Sequence, residues 1–177
     1  GADVINDITG LGDPAMMTVA ARTQAPVVVM HMQGTPRIMQ QKPSYREVVA
    51  EVIAWLEGVC GRAIEAGIAR HQLIIDPGIG FGKTTQHNLE LLHRLRDFRC
   101  LGYPVLVGTS RKSVIGDVLH LPVGERVEGT AATVALAVYE GADIIRVHDV
   151  KEMRRVIDMT QAIQESTRRW ERGADVG

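Results

Sequence analysis

Leu73-Ile74-Ile75-Asp76-Pro77-Gly78-Ile79-Gly80-Phe81-Gly82-Lys83 sets an apolar, β-branched run directly against an aspartate and a glycine-rich turn. The run reads as a strand from Leu73 to Ile75, and the aspartate sits at its C-terminal end. A carboxylate there can accept two parallel hydrogen bonds from a planar pair of N–H donors. The glycines let the backbone approach a ligand closely or adopt positive φ. The same residues also suit a tight connection into a helix with an Asx-type cap, so the turn alone leaves two readings open. Neither phosphate-binding glycine motif fits: GxxxxGK[ST] lacks its first glycine, and the spacing is not GxGxxG.

Working outward, similar runs occur at Val4-Ile5, Val27 to Met32, Val105 to Val107 and Ile144 to Val147. They are continuously apolar rather than alternating, as expected of parallel strands buried on both faces. Helical stretches lie between them. Asp13-Pro14 is an N-cap followed by proline at the first helical position, leading to Thr23. Ser44 with Glu47 reads as a capping box opening a long helix through about Ala66, ended by Gly67. Further helices are expected from Thr85 or Gln86 to Asp97, from Glu125 to Glu140, and from Val150 to Trp170, with the last residues fraying. A (β/α)8 barrel of about 250 residues has about 31 residues per unit. A doubly wound open sheet has a similar period.

The strand ends separate the two folds. Asn6-Asp7, His31, Asp76, Ser110-Arg111-Lys112 and Arg146 with His148-Asp149 put polar residues after every strand. An open sheet gathers such residues at its switch point, whereas a barrel turns all its strand C-termini toward one mouth. The expected fold is therefore an α/β (β/α)8 TIM barrel, of which this chain holds about five βα units. Closing a packed barrel takes eight strands. Residues 1–177 are accordingly read as a single domain, the C-terminal part of a barrel whose first three units would precede Gly1.

The composition excludes several classes. Among 177 residues, 45% are hydrophobic and 23% charged, with a net charge of −1. That is neither a disordered chain nor a surface that coats nucleic acid. No apolar run is long enough to span a bilayer. Cys60 and Cys100 are far apart without metal-binding spacing, and are expected to be reduced in a cytoplasmic protein.

Two further motifs carry charge. Gly108-Thr109-Ser110-Arg111-Lys112-Ser113 places two cations and hydroxyls on a turn entering a short helix, a suitable anion site or else a solvated basic turn. In Ile145-Arg146-Val147-His148-Asp149, alternation directs Arg146 and His148 to one side of the strand. An arginine is costly to bury unless paired, so the pair reads as an anion site, with Asp149 capping the last helix. Asn6 can meet a heterocycle edge or simply form a turn, and His31 can be functional or a satisfied core histidine. His71, His87, His93 and His120 read as solvated.

These motifs, in this order, resemble dihydropteroate synthase. The resemblance runs from Gly1 to about Asp158 and rests on Ile5-Asn6-Asp7-Ile8, Met30-His31-Met32-Gln33-Gly34, Asp76 to Lys83, Ser110 to Ser113 and Arg146 to Asp149. It implies condensation of 6-hydroxymethyl-7,8-dihydropterin diphosphate with 4-aminobenzoate, releasing diphosphate, by a homodimeric barrel that uses Mg²⁺. It further implies that Asn6 and Asp76 hold the pterin's pyrimidine edge, that Lys112 bonds the ring, and that Ile8, Met32, Phe81 and Gly108 shape the pocket. Arg146 and His148 would bind the diphosphate, Ser113 the aminobenzoate carboxylate, and Arg111 would organise that loop; Lys112, Arg146 and His148 are the catalytic candidates. No metal ligand is assigned to this chain, since the resemblance places the metal-ordering loops in N-terminal units absent from it, and the isolated chain is expected to have little activity. A methyl-transferring pterin barrel, or a fragment that binds pterin without catalysis, is the alternative.

Overall fold

Val27-Val28-Val29-Met30 is buried at all four positions, which fits a central strand packed on both faces. In the computed structural model, which describes the backbone of residues 1–173 and the side chains of residues 1–166, it forms β2 (Val27–Met30). It lies between parallel neighbours β1 (Ile5–Asp7) and β3 (Leu73–Asp76), in register Ile5↔Val27 and Met30↔Asp76. A parallel bridge from Ile75 to Val105 carries the sheet on to β4 (Leu106–Val107), which pairs in parallel with β5 (Ile144–Ile145). The strands thus lie side by side in chain order, without the reversal that defines a doubly wound sheet. This is the parallel arrangement of a partial (β/α)8 barrel.

Two strands end short of their apolar runs, whereas β3 runs on through Asp76. β2 stops at Met30 and β5 at Ile145, because His31 and Arg146 already turn toward the mouth. β1 instead runs on through Asn6 and Asp7. β1 and β5 each have a strand partner on one side only among the described residues.

Helices α1 (Pro14–Thr23), α2 (Val48–Glu65), α3 (Thr85–His93), α4 (Ser113–Leu119), α5 (Val127–Tyr139) and α6 (Val150–Gly173) follow the strands. Asp13 caps α1, its carboxylate accepting the Ala15 N–H at 2.8 Å. The capping box expected at Ser44 is not there. Ser44 is clasped by the Gln33 side chain, which accepts its N–H at 3.1 Å and donates to its carbonyl at 2.9 Å. The cap moves three residues on, where Glu47 accepts the Ala50 N–H. The Glu51 carboxylate takes the N–H groups of Arg46 and Glu47. α3 ends at His93 rather than Asp97, since a 3₁₀ stretch over Leu95–Leu101 turns Leu95 and Phe98 into the core. Residues 123–125 form a separate 3₁₀ turn, so α5 begins at Val127. α6 runs on to Gly173 rather than ending at Trp170, and the rest of the stretch expected to fray, 174–177, lies outside the described residues.

The core is the sheet and the helix faces laid on it: Val27, Val29, Leu73, Ile75 and Val105 against Leu56, Leu91, Leu95 and Phe98. At about 25 cal/mol per Å² of apolar area buried, such side chains stabilise the fold by roughly 1.5–3 kcal/mol each. Cys60 is buried and Cys100 exposed, both as free thiols, and burial pushes the Cys60 thiol up to about 11. No helix among the described residues is long and apolar enough to cross a membrane.

Candidate active site

The end of β3 carries Asp76, only 7% exposed. Its Oδ1 accepts the Gly78 N–H at 2.7 Å, while Oδ2 accepts no hydrogen bond among the described residues. Burial pushes this carboxyl up, opposed by the Gly78 N–H and by the cations of Lys112, Lys83 and Arg146. A carboxylate with one oxygen anchored and the other open is prepared to accept from a ligand.

The turn after Asp76 is pinned from beneath. Lys83 is 3% exposed, and its ammonium donates to the carbonyls of Gly78 and Phe81, both at 3.0 Å, and meets His31 Nδ1 at 2.9 Å. While charged, the ammonium has three protons and no lone pair, and these acceptors, with the His31 carbonyl at 3.4 Å, saturate it. His31 must then accept through Nδ1. Burial and the adjacent Lys83 hold the His31 imidazole down to about 3, so it is neutral across the physiological range. Its ring stands edge-on to Trp55, with centroids 4.9 Å apart. Burial likewise lowers Lys83 to about 7 against the pull of Asp76. Gly78 has φ +71, and a Cβ there would lie 1.9 Å from the His31 carbonyl oxygen, so only glycine lets β2 and this turn come so close.

Opposite this floor lies the turn after β4. Lys112 reaches across to donate to the Ile79 carbonyl at 2.5 Å, and its ammonium sits 4.8 Å from the centre of the Phe81 ring. Burial depresses it to about 8, with Asp76 opposing and Arg146 adding to the shift. Arg111 grips Asp149 with two parallel hydrogen bonds, at 3.1 and 2.6 Å, and holds that carboxyl below its usual range. The carboxylate expected to cap α6 is therefore committed to Arg111. Ser113, exposed, opens α4.

Arg146 and His148 follow directly on β5. With Gly108, Ser110, Lys112 and Val147 they line a cavity of about 300 Å³. Arg146 is exposed, and its guanidinium makes no hydrogen bond or ion pair among the described residues. β5 ends before it, so solvent rather than protein surrounds the charge. Across the mouth, Asn6 is exposed at β1 and Ile8 and Met32 are half-buried. Phe81 is half-buried and Gly108 buried.

A family model described as "Pterin binding enzyme" matches residues 1–148. The chain belongs to the pterin-binding enzyme family. Within this family it is 46% identical to the dihydropteroate synthase of Escherichia coli K12 over 95% of its own length and 61% of that protein's. Its structure superposes with a TM-score of 0.91 on the Yersinia pestis dihydropteroate synthase in a sulfonamide drug complex, at 42% identity, covering 93% of this chain and 60% of that one. Two Thermus thermophilus dihydropteroate synthase structures, in complex with 6HMPPP and with 4-aminobenzoate, each match at 44% identity over 93% of this chain, with TM-scores of 0.88 and 0.87 and coverage of 65% and 67% of theirs. The chain thus spans about 61% of the length of the Escherichia coli relative.

Several residues that build this mouth were assigned no role from the sequence. Lys83 ends the quoted motif, yet its lysine type says nothing of the three partners it collects from two strands. Arg126 donates to the carbonyls of Leu121, Arg111 and Lys112 at 3.0, 3.0 and 3.2 Å, fixing the shape of the basic turn from α5. Asp7 folds the β1 loop by accepting from Thr9 N, Thr9 Oγ1 and Leu11 N, at 2.8, 2.8 and 2.9 Å. His87, read as solvated, stacks edge-on to Tyr45 with centroids 5.0 Å apart.

Proposed function

We propose that this mouth is the substrate face of a dihydropteroate synthase, which joins 6-hydroxymethyl-7,8-dihydropterin diphosphate to 4-aminobenzoate and releases diphosphate. The observation that carries the reading is the buried Asp76 with its open Oδ2, within electrostatic reach of Lys112 and Arg146, which with His148 line the cavity after β4 and β5. A carboxylate in a dry setting suits the adjacent ring N–H and NH₂ of an amino-pyrimidinone, and Asn6 adds a donor and an acceptor across the same edge. Lys112 bonds the ring from the other side, while Ile8, Met32, Phe81 and Gly108 give its faces apolar contact. Arg146 and His148 hold the diphosphate. Ser113, at the start of α4, holds the aminobenzoate carboxylate, on a loop whose shape Arg111 sets through Asp149.

Breaking the pterin methylene C–O bond leaves negative charge on diphosphate, so cations preplaced at that oxygen stabilise the transition state more than the ground state. The electron-rich pterin supports the cationic methylene, and the aniline nitrogen needs positioning rather than a strong base. Lys112, Arg146 and His148 are on this reading the catalytic groups. The described residues contain no group of three or more His, Cys, Asp or Glu placed to hold a metal. Mg²⁺, implied by resemblance, is therefore not assigned to side chains here, and no step is routed through it. The homodimer and a cytoplasmic location belong to the same proposal.

Titration calorimetry tests it. Pterin diphosphate should bind more tightly than a reduced pterin lacking diphosphate, and Asp76→Asn should weaken both by about tenfold or more, the cost of a charge-assisted hydrogen bond. Equal affinity for the two pterins would favour a methyl-transferring barrel, which has no diphosphate to expel.

A further inference from the structure

Ser110 lies beneath His148 and is 7% exposed. Its Oγ sits 2.8 Å from His148 Nδ1 and also accepts the His148 backbone N–H at 3.2 Å. A serine hydroxyl has one proton and two lone pairs. One lone pair is taken by the backbone N–H, and the only acceptor in hydrogen-bond reach of the hydroxyl proton, among the described residues, is Nδ1. Were Nδ1 itself protonated, the hydroxyl would lose its one protein acceptor among the described residues and its proton would have to turn to the cavity that Ser110 lines, a costlier arrangement. Nδ1 therefore accepts, and the ring proton of the neutral imidazole belongs on Nε2.

We propose that Ser110 is a positioning residue that locks His148 as the Nε2–H tautomer, so that His148 presents a donor, and no lone pair, to a phosphoryl oxygen in the cavity it shares with Arg146 and Lys112. The inference rests on the diphosphate reading of that cavity and extends it. Arg146 and Lys112 are donors in every protonation state they adopt as cations, whereas an imidazole turned the other way would oppose a lone pair to the anion. The Oγ contact removes that choice before ligand arrives. Because the hydroxyl is held by the backbone of the residue whose ring it orients, ring and cavity wall are set together.

The test uses isotope-labelled protein in alkaline buffer. Long-range ¹H–¹⁵N spectra should show a pyridine-like Nδ1 and a pyrrole-like Nε2 for His148. Ser110→Ala should move both nitrogens toward averaged values, and Ser110→Thr should restore the original pair. In calorimetry with inorganic diphosphate, Ser110→Ala should weaken binding about tenfold, with Ser110→Thr near the unaltered protein. In a His148→Gln background, whose amide can donate from the place of Nε2, Ser110→Ala should cost nothing further; a purely structural role for the serine would persist there. A protonated Nδ1, unchanged nitrogens in Ser110→Ala, or a loss that survives in the Gln background would each overturn the proposal. So would failure of inorganic diphosphate to bind at all, an outcome separate from the pterin-floor reading, which Asp76→Asn tests with a pterin lacking diphosphate.

Discussion

The two walls of the mouth are built on opposite terms. Between β2 and β3, His31, Asp76 and Lys83 are 5%, 7% and 3% exposed, and each is held by partners from the neighbouring strand or turn. Between β4 and β5, Arg146 and His148 are exposed, and what is tied down is their support: Ser110 under His148, Asp149 on Arg111, Arg126 under the turn. The contrast follows from what each wall is proposed to bind. A planar neutral heterocycle is discriminated by hydrogen bonds that must be dry and prealigned, because water competes for the same donors. An anion is met by cations, and cations are costly to bury before their partner arrives. The closed wall thus carries its desolvation in the folded protein, while the open wall defers it to binding.

If the β2–β3 wall is the rigid one, the largest effect should come from forcing its backbone apart. Gly78→Ala puts a side chain at positive φ against the His31 carbonyl. It should cost about 3 kcal/mol, roughly 1 for the left-handed conformation and 1–3 for the overpacking. Urea unfolding with an unchanged slope would register it. Lys83→Met comes next. It strands the Gly78 and Phe81 carbonyls and His31 Nδ1, but it also removes a costly buried charge, so a net loss of about 2 kcal/mol is expected in the same measurement. A stabilised Lys83→Met protein would mean the ammonium is a burden rather than a tie.

Acid should open the same wall. In the folded protein His31 stays neutral down to about pH 3, against an ordinary value of 6.5. Between those values the unfolded chain binds the extra proton, so stability rises with pH across this window and is complete above 6.5. Thermal midpoints followed from pH 7 to pH 4 should fall. In His31→Gln, which keeps an acceptor for Lys83 but cannot titrate, that fall should be shallower. An equally steep fall would assign the acid sensitivity to other groups.

The smallest effect belongs to the open wall. Arg111→Ala breaks a solvent-facing pair, and surface ion pairs contribute little to stability. Its thermal midpoint should barely change, while affinity for 4-aminobenzoate, read by calorimetry, should drop a few-fold as the turn loosens. A marked loss of stability would show that both walls are equally integral to the fold, and the contrast would fail.

Much of this was legible in the residues alone. The continuous apolar runs at 27–30 and 73–75 announced buried parallel strands, since burial on both faces leaves no polar alternation to confuse the period. The polar residue after each run announced a common mouth, because strand ends are where a parallel barrel meets solvent. The positions proposed to carry the chemistry, Asp76, Lys112, Arg146 and His148, stand out for the same reason, together with their resemblance to a known family. Only the tertiary structure decided how each is held. Ser44 looked like a helix cap, but Gln33, distant in sequence, claims it. Asp149 looked like another cap, but Arg111 from the neighbouring turn takes its carboxylate. Lys83, which closes a glycine-rich turn, is one of the most enclosed charges among the described residues. Local sequence specifies which groups a strand or turn will offer, through period and propensity. Which partner each group finds, and how much water remains around it, depends on chain segments brought together only when the sheet assembles.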